Sequence, residues 1–92
     1  MRSVRLRITG RVQGVGYRAW AIETARSLGL RGWVRNRADG SVEMLVTGND
    51  RTAVAAMIKA AREGPPAARV EQIEIADESG DGSVGFAALP TK

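Results

Sequence analysis

The sequence predicts an α+β fold in which two helices cover one face of a mostly antiparallel β-sheet. Two stretches repeat apolar residues with helical spacing, and the segments before, between and after them have the composition and alternation of strands. A short turn joins the two strand segments that lie between the helical stretches. The resulting order is βαββαβ with an additional final strand, which is the ferredoxin-like sandwich.

The first strand is predicted from residues 4–9, VRLRIT, in which apolar residues alternate with polar ones. Such alternation gives a strand one buried face, because successive side chains point to opposite sides. After a glycine-containing loop, helical spacing is shown by Ala21, Ile22, Ala25 and Leu28. The first helix is therefore predicted from about Tyr17 to Leu28, and Gly29 is a typical helix terminator.

The middle of the chain predicts a β-hairpin. Leu30–Arg37 and Ser41–Gly48 are strand candidates, and Ala38-Asp39-Gly40 between them has turn composition. Sheet pairing between two such neighbours is the usual outcome of a short connection.

The second helix is predicted to begin after Asn49 or Asp50, since either side chain can cap a helix N-terminus. Its apolar positions follow i, i+3, i+4, i+7 spacing: Val54, Met57, Ile58 and Ala61. Gly64-Pro65-Pro66 ends it. Two further strands are predicted, Val70–Ala76 and Val84–Leu89, separated by a polar run.

Length and composition predict one globular domain over residues 1–92, with 43% hydrophobic and 26% charged residues. The first ten residues contain no continuous apolar run of the kind found in signal peptides or membrane spans. We therefore expect a cytoplasmic protein that does not bind membranes. The chain has no cysteine and no histidine, which excludes disulfides, thiolate catalysis and the commonest general base and metal ligand. We expect no metal and no cofactor.

Positive charge is concentrated in the first part of the chain. Residues 1–37 contain nine arginines and a single acidic residue, Glu23, for a net charge of +8, whereas the remainder carries five basic and nine acidic residues, for −4. This asymmetry indicates an anionic ligand, which could be nucleic acid, a lipid surface or a small phosphate compound. Solvated surface arginines are the alternative for most of the nine.

A nucleic-acid interface is one hypothesis, because strand alternation places basic residues on the sheet face opposite the helices: Arg5, Arg7, Arg31 and Arg35, together with Trp33. RNA-binding modules of this architecture stack bases on aromatic residues of the third strand. Here the third strand reads SVEMLV, with no aromatic residue and one acid. We therefore expect no nucleic-acid partner, and we interpret Trp20 and Trp33 as partly buried packing residues.

The segment GRVQGVGYR, residues 10–18, joins the first strand to the first helix. A helix N-terminus offers unpaired amides and partial positive charge, and glycines allow a loop backbone to turn its amides toward an anion. Arg18 would add a permanently charged, bidentate donor for phosphate oxygens. The loop therefore predicts a phosphate site, although a plain connection remains an alternative reading of three glycines. The chain contains no Gly-Lys-Ser or Gly-Lys-Thr tripeptide, and Gly10, Gly14 and Gly16 do not have the spacing of the dinucleotide fingerprint GxGxxG.

The segment resembles the signature of the acylphosphatase family, Gly-x-Val-Gln-Gly-Val-x-aromatic-Arg, at every position from Gly10 to Arg18. A second family signature, Gly-Trp-Val-x-Asn followed by a turn and Gly-x-Val-Glu, is similar to residues 32–36 and 40–43. Tyr17 stands where phenylalanine is frequent. Element order and length agree as well, so the resemblance covers nearly the whole chain.

The resemblance implies an enzyme that hydrolyses acyl phosphates to a carboxylate and inorganic phosphate, as a monomer and without a metal. It implies that backbone amides of the loop hold the phosphate, namely those of Arg11, Val12, Gln13, Gly14, Val15 and Gly16. It also implies that Arg18 binds the phosphate and that Asn36 orients the attacking water. Gln13 could simply hold the loop's shape.

Three alternatives remain open at this point. Arg18 could be a surface residue paired with Glu23 or Asp39. Asn36 could be only a turn residue, since asparagine favours turns. The whole chain could be a non-catalytic module that binds phosphate or carbamoyl phosphate as an accessory to a larger enzyme.

Overall fold

The computed structural model describes residues 1–92. The elements in chain order are β1 (Arg2–Arg11), α1 (Tyr17–Ser27), β2 (Arg31–Asn36), β3 (Val42–Gly48), α2 (Arg51–Glu63), β4 (Arg69–Asp77) and β5 (Phe86–Ala88). They form one five-stranded sheet of order β4-β1-β3-β2-β5, antiparallel except for the parallel β2–β5 pair. The predicted ferredoxin-like order with an additional final strand is confirmed.

Strand β1 lies inside the sheet and follows the predicted alternation. Val4, Leu6 and Ile8 are completely buried on the side that the helices cover. Two neighbours flank β1 along nearly its whole length, β3 on one side and β4 on the other. Because its C-terminal end leads directly into the loop at residues 12–16, a strand that is paired on both edges fixes where that loop begins.

The two helices pack on the same face of the sheet, with Ala21 and Ala25 of α1 and Val54 and Met57 of α2 in the core. Of the two cap candidates, Asp50 is the one used: its carboxylate accepts a hydrogen bond from the amide of Thr52 at 2.8 Å. Neither helix has the length and apolar character needed to cross a membrane.

The last strand is shorter than predicted. The pattern predicts Val84–Leu89, whereas β5 contains only Phe86–Ala88, and the side chain of Val84 is 96% exposed. Phe86 is the residue of this segment that enters the core, and it lies beside Gly32 in register. The chain then continues along β2 through single backbone hydrogen bonds, with Leu89 donating to Val34 and Lys92 to Asn36.

The open face of the sheet is less basic than its arginine content predicts. Glu43 of β3 forms ion pairs with Arg5, Arg35 and Arg37, at 3.3, 2.6 and 3.2 Å. Burial alone would raise the pKa of Glu43, but the hydrogen bond and charge of Arg35, with the other two arginines, lower it below its usual value. The buried carboxylate of Glu43 therefore offsets part of the positive charge of this face.

Both tryptophans are packing residues, as predicted. Trp33 is 9% exposed on the open face, under the guanidinium groups of Arg5 and Arg35, and its indole donates to Asp81 at 3.0 Å. Trp20 packs edge-on against Tyr17, with 5.2 Å between ring centroids. The ring of Trp33 is therefore not free to stack on a base.

Tyr17, the first residue of α1, is tied to the end of α2. Its buried hydroxyl donates to the carbonyl of Ala61 at 2.7 Å. The residue four positions after Ala61 is Pro65, which has no amide hydrogen, so this carbonyl has no helical donor. Tyr17 supplies one, and burial raises the pKa of its hydroxyl well above the usual range.

We predict that Tyr17→Phe lowers the free energy of unfolding by about 1–3 kcal/mol, because the buried Ala61 carbonyl then has no donor. Urea unfolding of both proteins measures the difference. The matched control is Ser27→Ala, which removes an exposed hydroxyl bonded to the carbonyl of Thr24 at 2.7 Å and is expected to cost less than about 0.5 kcal/mol. Equal losses in the two variants would contradict the role given to Tyr17.

Candidate active site

The loop between β1 and α1 exposes a continuous run of backbone donors. None of the amides of residues 12–19 donates a hydrogen bond to a backbone or side-chain acceptor of the chain. The next amide, that of Trp20, donates to the carbonyl of Gly16. The amides of residues 17–19 belong to the first turn of α1, where intrahelical acceptors do not exist. Loop and helix N-terminus together therefore form one region of positive potential.

Two glycines give the loop its shape. Gly14 and Gly16 have φ of 73° and 79°, in the left-handed region that other residues rarely adopt. Gly16 is also the N-cap of α1, and no side chain caps this helix end. A Cβ at either position would meet no atom within 4 Å, so glycine serves here for its conformation and for open access to the backbone.

Arg18 lies in the first turn of α1, exposed and without an ion pair in the chain. The pairing with Glu23 or Asp39 considered above does not occur. Asp39 instead pairs with Arg7 and accepts hydrogen bonds from the hydroxyl and amide of Ser41. These Ser41 bonds, with the charge of Arg7, lower the pKa of Asp39 to about 2. The guanidinium of Arg18 is thus free for an external anion.

Asn36 is the last residue of β2, and its backbone carbonyl accepts from the amide of Lys92 at 3.1 Å. Its side-chain amide makes no hydrogen bond within the chain. The turn that follows is organised by Asp39 through its bonds to Ser41, 2.6 Å to the hydroxyl and 2.9 Å to the amide. Asn36 is therefore not needed to form the turn, and its side chain is available to a ligand.

These groups meet in one cavity of about 360 Å³. The loop contributes Val12, Gln13, Gly14 and Gly16, α1 contributes Tyr17, Arg18, Ala19 and Ile22, and the strands contribute Asn36 and Ala88. Of the predicted site residues, Arg11 and Val15 are not in the lining. Arg11 is the exposed end of β1 beside Arg69, and the side chain of Val15 packs against the core.

Gln13 connects the loop to the hairpin that carries Asn36. Its side-chain amide nitrogen donates to the carbonyl of Arg37 at 2.8 Å and to that of Ser41 at 2.9 Å. Both acceptors lie between β2 and β3, one residue after Asn36 and one before β3. The hypothesis that Gln13 holds the loop's shape agrees with these bonds, which also fix the separation between the loop and Asn36.

Sequence reasoning missed three apolar residues of the lining, Ala19, Ile22 and Ala88. Periodicity identified Ile22 only as a helix position, and nothing in the sequence relates α1 to Ala88, far away in the chain. No group of three or more His, Cys, Asp or Glu residues is arranged to hold a metal ion. The potential donors of the cavity are amides and one guanidinium, which suit an anion.

Comparison with known proteins agrees with this geometry. The acylphosphatase family model matches residues 4–88. The acylphosphatase of Rhodospirillum rubrum is 50% identical over 91 residues, covering 99% of each chain. That of Azoarcus sp. is 57% identical over 86 residues, covering 94% of this chain and 87% of that one. The crystal structure of acylphosphatase from Bacillus subtilis superimposes with a TM-score of 0.92 at 36% identity, covering 97% of this chain and 99% of that chain.

We predict that Gln13→Met weakens phosphate binding by about tenfold, since the loop loses two hydrogen bonds of roughly 1 kcal/mol each and its amides no longer hold one arrangement. The rise in melting temperature with increasing inorganic phosphate measures the affinity. Gln72→Met, the same change at an exposed position of β4, is the control and should leave the affinity unchanged. An unaltered phosphate response in Gln13→Met would mean that the loop keeps its shape without Gln13.

Proposed function

The chain belongs to the acylphosphatase family and hydrolyses acyl phosphates, and we propose that the cavity between the β1–α1 loop, Arg18 and Asn36 is where it does so. The observation that carries this assignment is the run of unpaired amides at residues 12–19, which shares one cavity with an unpaired arginine and an unpaired carboxamide. The leaving carboxylate and inorganic phosphate are the two products.

We propose that the loop amides, together with that of Arg11 at the end of β1, bind the non-bridging oxygens of the phosphoryl group. Backbone amides held by glycine φ angles need no rearrangement when the charge of the transition state develops, and this preorganisation is the main source of electrostatic catalysis. The partial positive charge of the α1 N-terminus adds to their effect. Gly14 and Gly16 let the phosphoryl group approach the backbone without contacting a Cβ.

Arg18 supplies the full positive charge. Its planar guanidinium can donate two parallel hydrogen bonds to phosphoryl oxygens, and it stays protonated at every physiological pH. Phosphoryl transfer proceeds through a loose transition state with charge on the equatorial oxygens. A fixed cation and a set of fixed dipoles stabilise that charge without a metal, so we propose a metal-independent reaction that uses no cofactor.

The leaving group explains why no general acid is present. An acyl phosphate is a mixed anhydride, and breaking its phosphorus–oxygen bond releases a carboxylate whose conjugate acid has a pKa of about 4, like that of a glutamate side chain. Such an oxygen departs without a proton. This step therefore requires neither histidine nor cysteine, and the chain contains neither.

We propose that Asn36 orients the attacking water, by accepting one of its hydrogen bonds at the carboxamide oxygen. The water oxygen bonds to phosphorus while the bond to the acyl oxygen breaks, and the electron pair of that bond leaves with the carboxylate. The two water protons remain with inorganic phosphate. Asn36 gains no proton in this scheme, so its contribution is positioning of the nucleophile.

We further propose that the enzyme acts as a cytoplasmic monomer of one domain without a nucleic-acid partner. A chain without cysteine gains nothing from an oxidising compartment. The large exposed apolar residues, Met1, Ile75 and Val84, belong to three different segments, which supports a monomer. The ion pairs of Glu43 with the open-face arginines reduce the charge that a nucleic-acid backbone would contact.

For Asn36→Ala we predict a fall in kcat of about 10²–10³, because one hydrogen bond to the nucleophile is lost. Hydrolysis of benzoyl phosphate in excess chelator measures kcat, and protection from heat by inorganic phosphate should be nearly unchanged. Asn49→Ala, an exposed asparagine at the end of β3 whose carboxamide accepts from Arg31 at 3.4 Å, is the matched control. A kcat equal to that of the control would remove Asn36 from the mechanism.

For Arg18→Ala we predict that kcat/KM falls by about 10³ or more, since the only full charge lining the cavity is lost. The same variant should no longer be stabilised by inorganic phosphate. Arg26→Ala, in the last turn of the same helix and outside the cavity, controls for the general loss of positive charge. Normal turnover in Arg18→Ala would overturn the assignment.

A further inference from the structure

The cavity at the loop has an apolar part that phosphate binding does not use. Three apolar residues of its lining lie outside the loop and are not among the proposed phosphate-binding groups: Ala19 and Ile22 on α1 and Ala88 on β5. Ile22 is half-buried, packing partly on the core and partly bordering the cavity. Arg18 is the only charged side chain in the whole lining. A phosphoryl group has no favourable contact to make with this second part.

The two walls of the cavity come from different layers of the fold. Arg18 and Ile22 are four residues apart on α1 and therefore lie on one face of the helix, one turn from each other. Asn36 belongs to the sheet beneath, where Ala88 pairs in register with Val34 on the side that the helices cover. The cavity thus runs from the loop along the gap between α1 and the β2–β5 edge.

In-line displacement assigns the two walls to different parts of the reaction. The attacking water and the leaving oxygen lie on opposite sides of phosphorus. With the water held by Asn36 on the sheet side, the leaving group departs toward α1. We propose that Ala19 and Ile22 form the subsite for the acyl group and that this subsite takes uncharged apolar acyl groups. This inference rests on the proposed role of Asn36.

The chemistry of the wall supports that ligand class. Ala19 and Ala88 are short and leave room, while Ile22 offers a branched apolar surface against which a hydrocarbon or aromatic group can exclude water. An acyl group with a second carboxylate finds no cation there, because Arg18 is occupied by the phosphoryl group. The acyl subsite therefore discriminates by apolar contact and by the absence of a charge partner.

The experiment compares benzoyl phosphate with acetyl phosphate, which share the reacting anhydride and differ in the size of the apolar group. We expect the wild type to have the higher kcat/KM for benzoyl phosphate, and Ile22→Thr to lower the benzoyl-to-acetyl ratio by about three- to tenfold through lost apolar contact. Inhibition by inorganic phosphate should be unchanged in the variant. Ile22→Ala is a second variant, which removes apolar contact without adding a hydroxyl. It is also expected to lower the benzoyl-to-acetyl ratio.

Ile58→Thr is the matched control, because Ile58 is also half-buried and packs against the same core from α2, outside the cavity. Its ratio should equal that of the wild type, so a general loss of stability cannot explain a change confined to Ile22. Hydrolysis of both substrates with an unchanged ratio in both Ile22 variants would overturn the acyl subsite and leave the proposed function intact. A wild type that hydrolyses neither substrate would overturn both.

Discussion

The structure depends on keeping the amides of residues 12–19 without acceptors of their own. Unpaired backbone donors are unfavourable when they are withdrawn from water, so a loop that presents them must be prevented from closing on itself. The left-handed φ angles of Gly14 and Gly16 are incompatible with α-helix, so α1 cannot extend toward its N-terminal side into the loop. The resulting cluster of donors is suited to an anion because no group of the chain satisfies it.

The elements around the loop hold it in that conformation from three directions. Strand β1, paired on both edges, fixes its beginning. The bonds from Gln13 to two hairpin carbonyls fix its middle, and the bond from Tyr17 to Ala61 anchors the helix that follows it. The last bond also depends on Pro65, whose missing amide leaves the Ala61 carbonyl open. Residues outside the site therefore determine how closely its donors converge.

Much of the fold and of the candidate site could be predicted from local sequence. The remaining features depend on contacts between distant parts of the chain. Periodicity and turn composition identified every element, and the 10–18 segment identified the loop and Arg18. Contacts between distant strands were not accessible in the same way. The partial neutralisation of the open face depends on cross-strand register, which brings Glu43 beside Arg5 and Arg35. The short β5 depends on Phe86 filling a place beside Gly32, and the apolar wall of the cavity depends on α1 crossing the β2–β5 edge.

The distribution of charge explains how a basic chain can direct its field at one small anion. Arg5, Arg7, Arg35 and Arg37 are paired with carboxylates on the open face or in the hairpin, so their charges are locally compensated. Arg18 stands in a cavity that no carboxylate lines, and its charge acts there together with the helix dipole. Because an acyl phosphate already contains a good leaving group, the proposed mechanism needs only this localised positive potential and one oriented water. Binding selectivity can then come from the apolar wall of α1, which takes no part in the charge stabilisation.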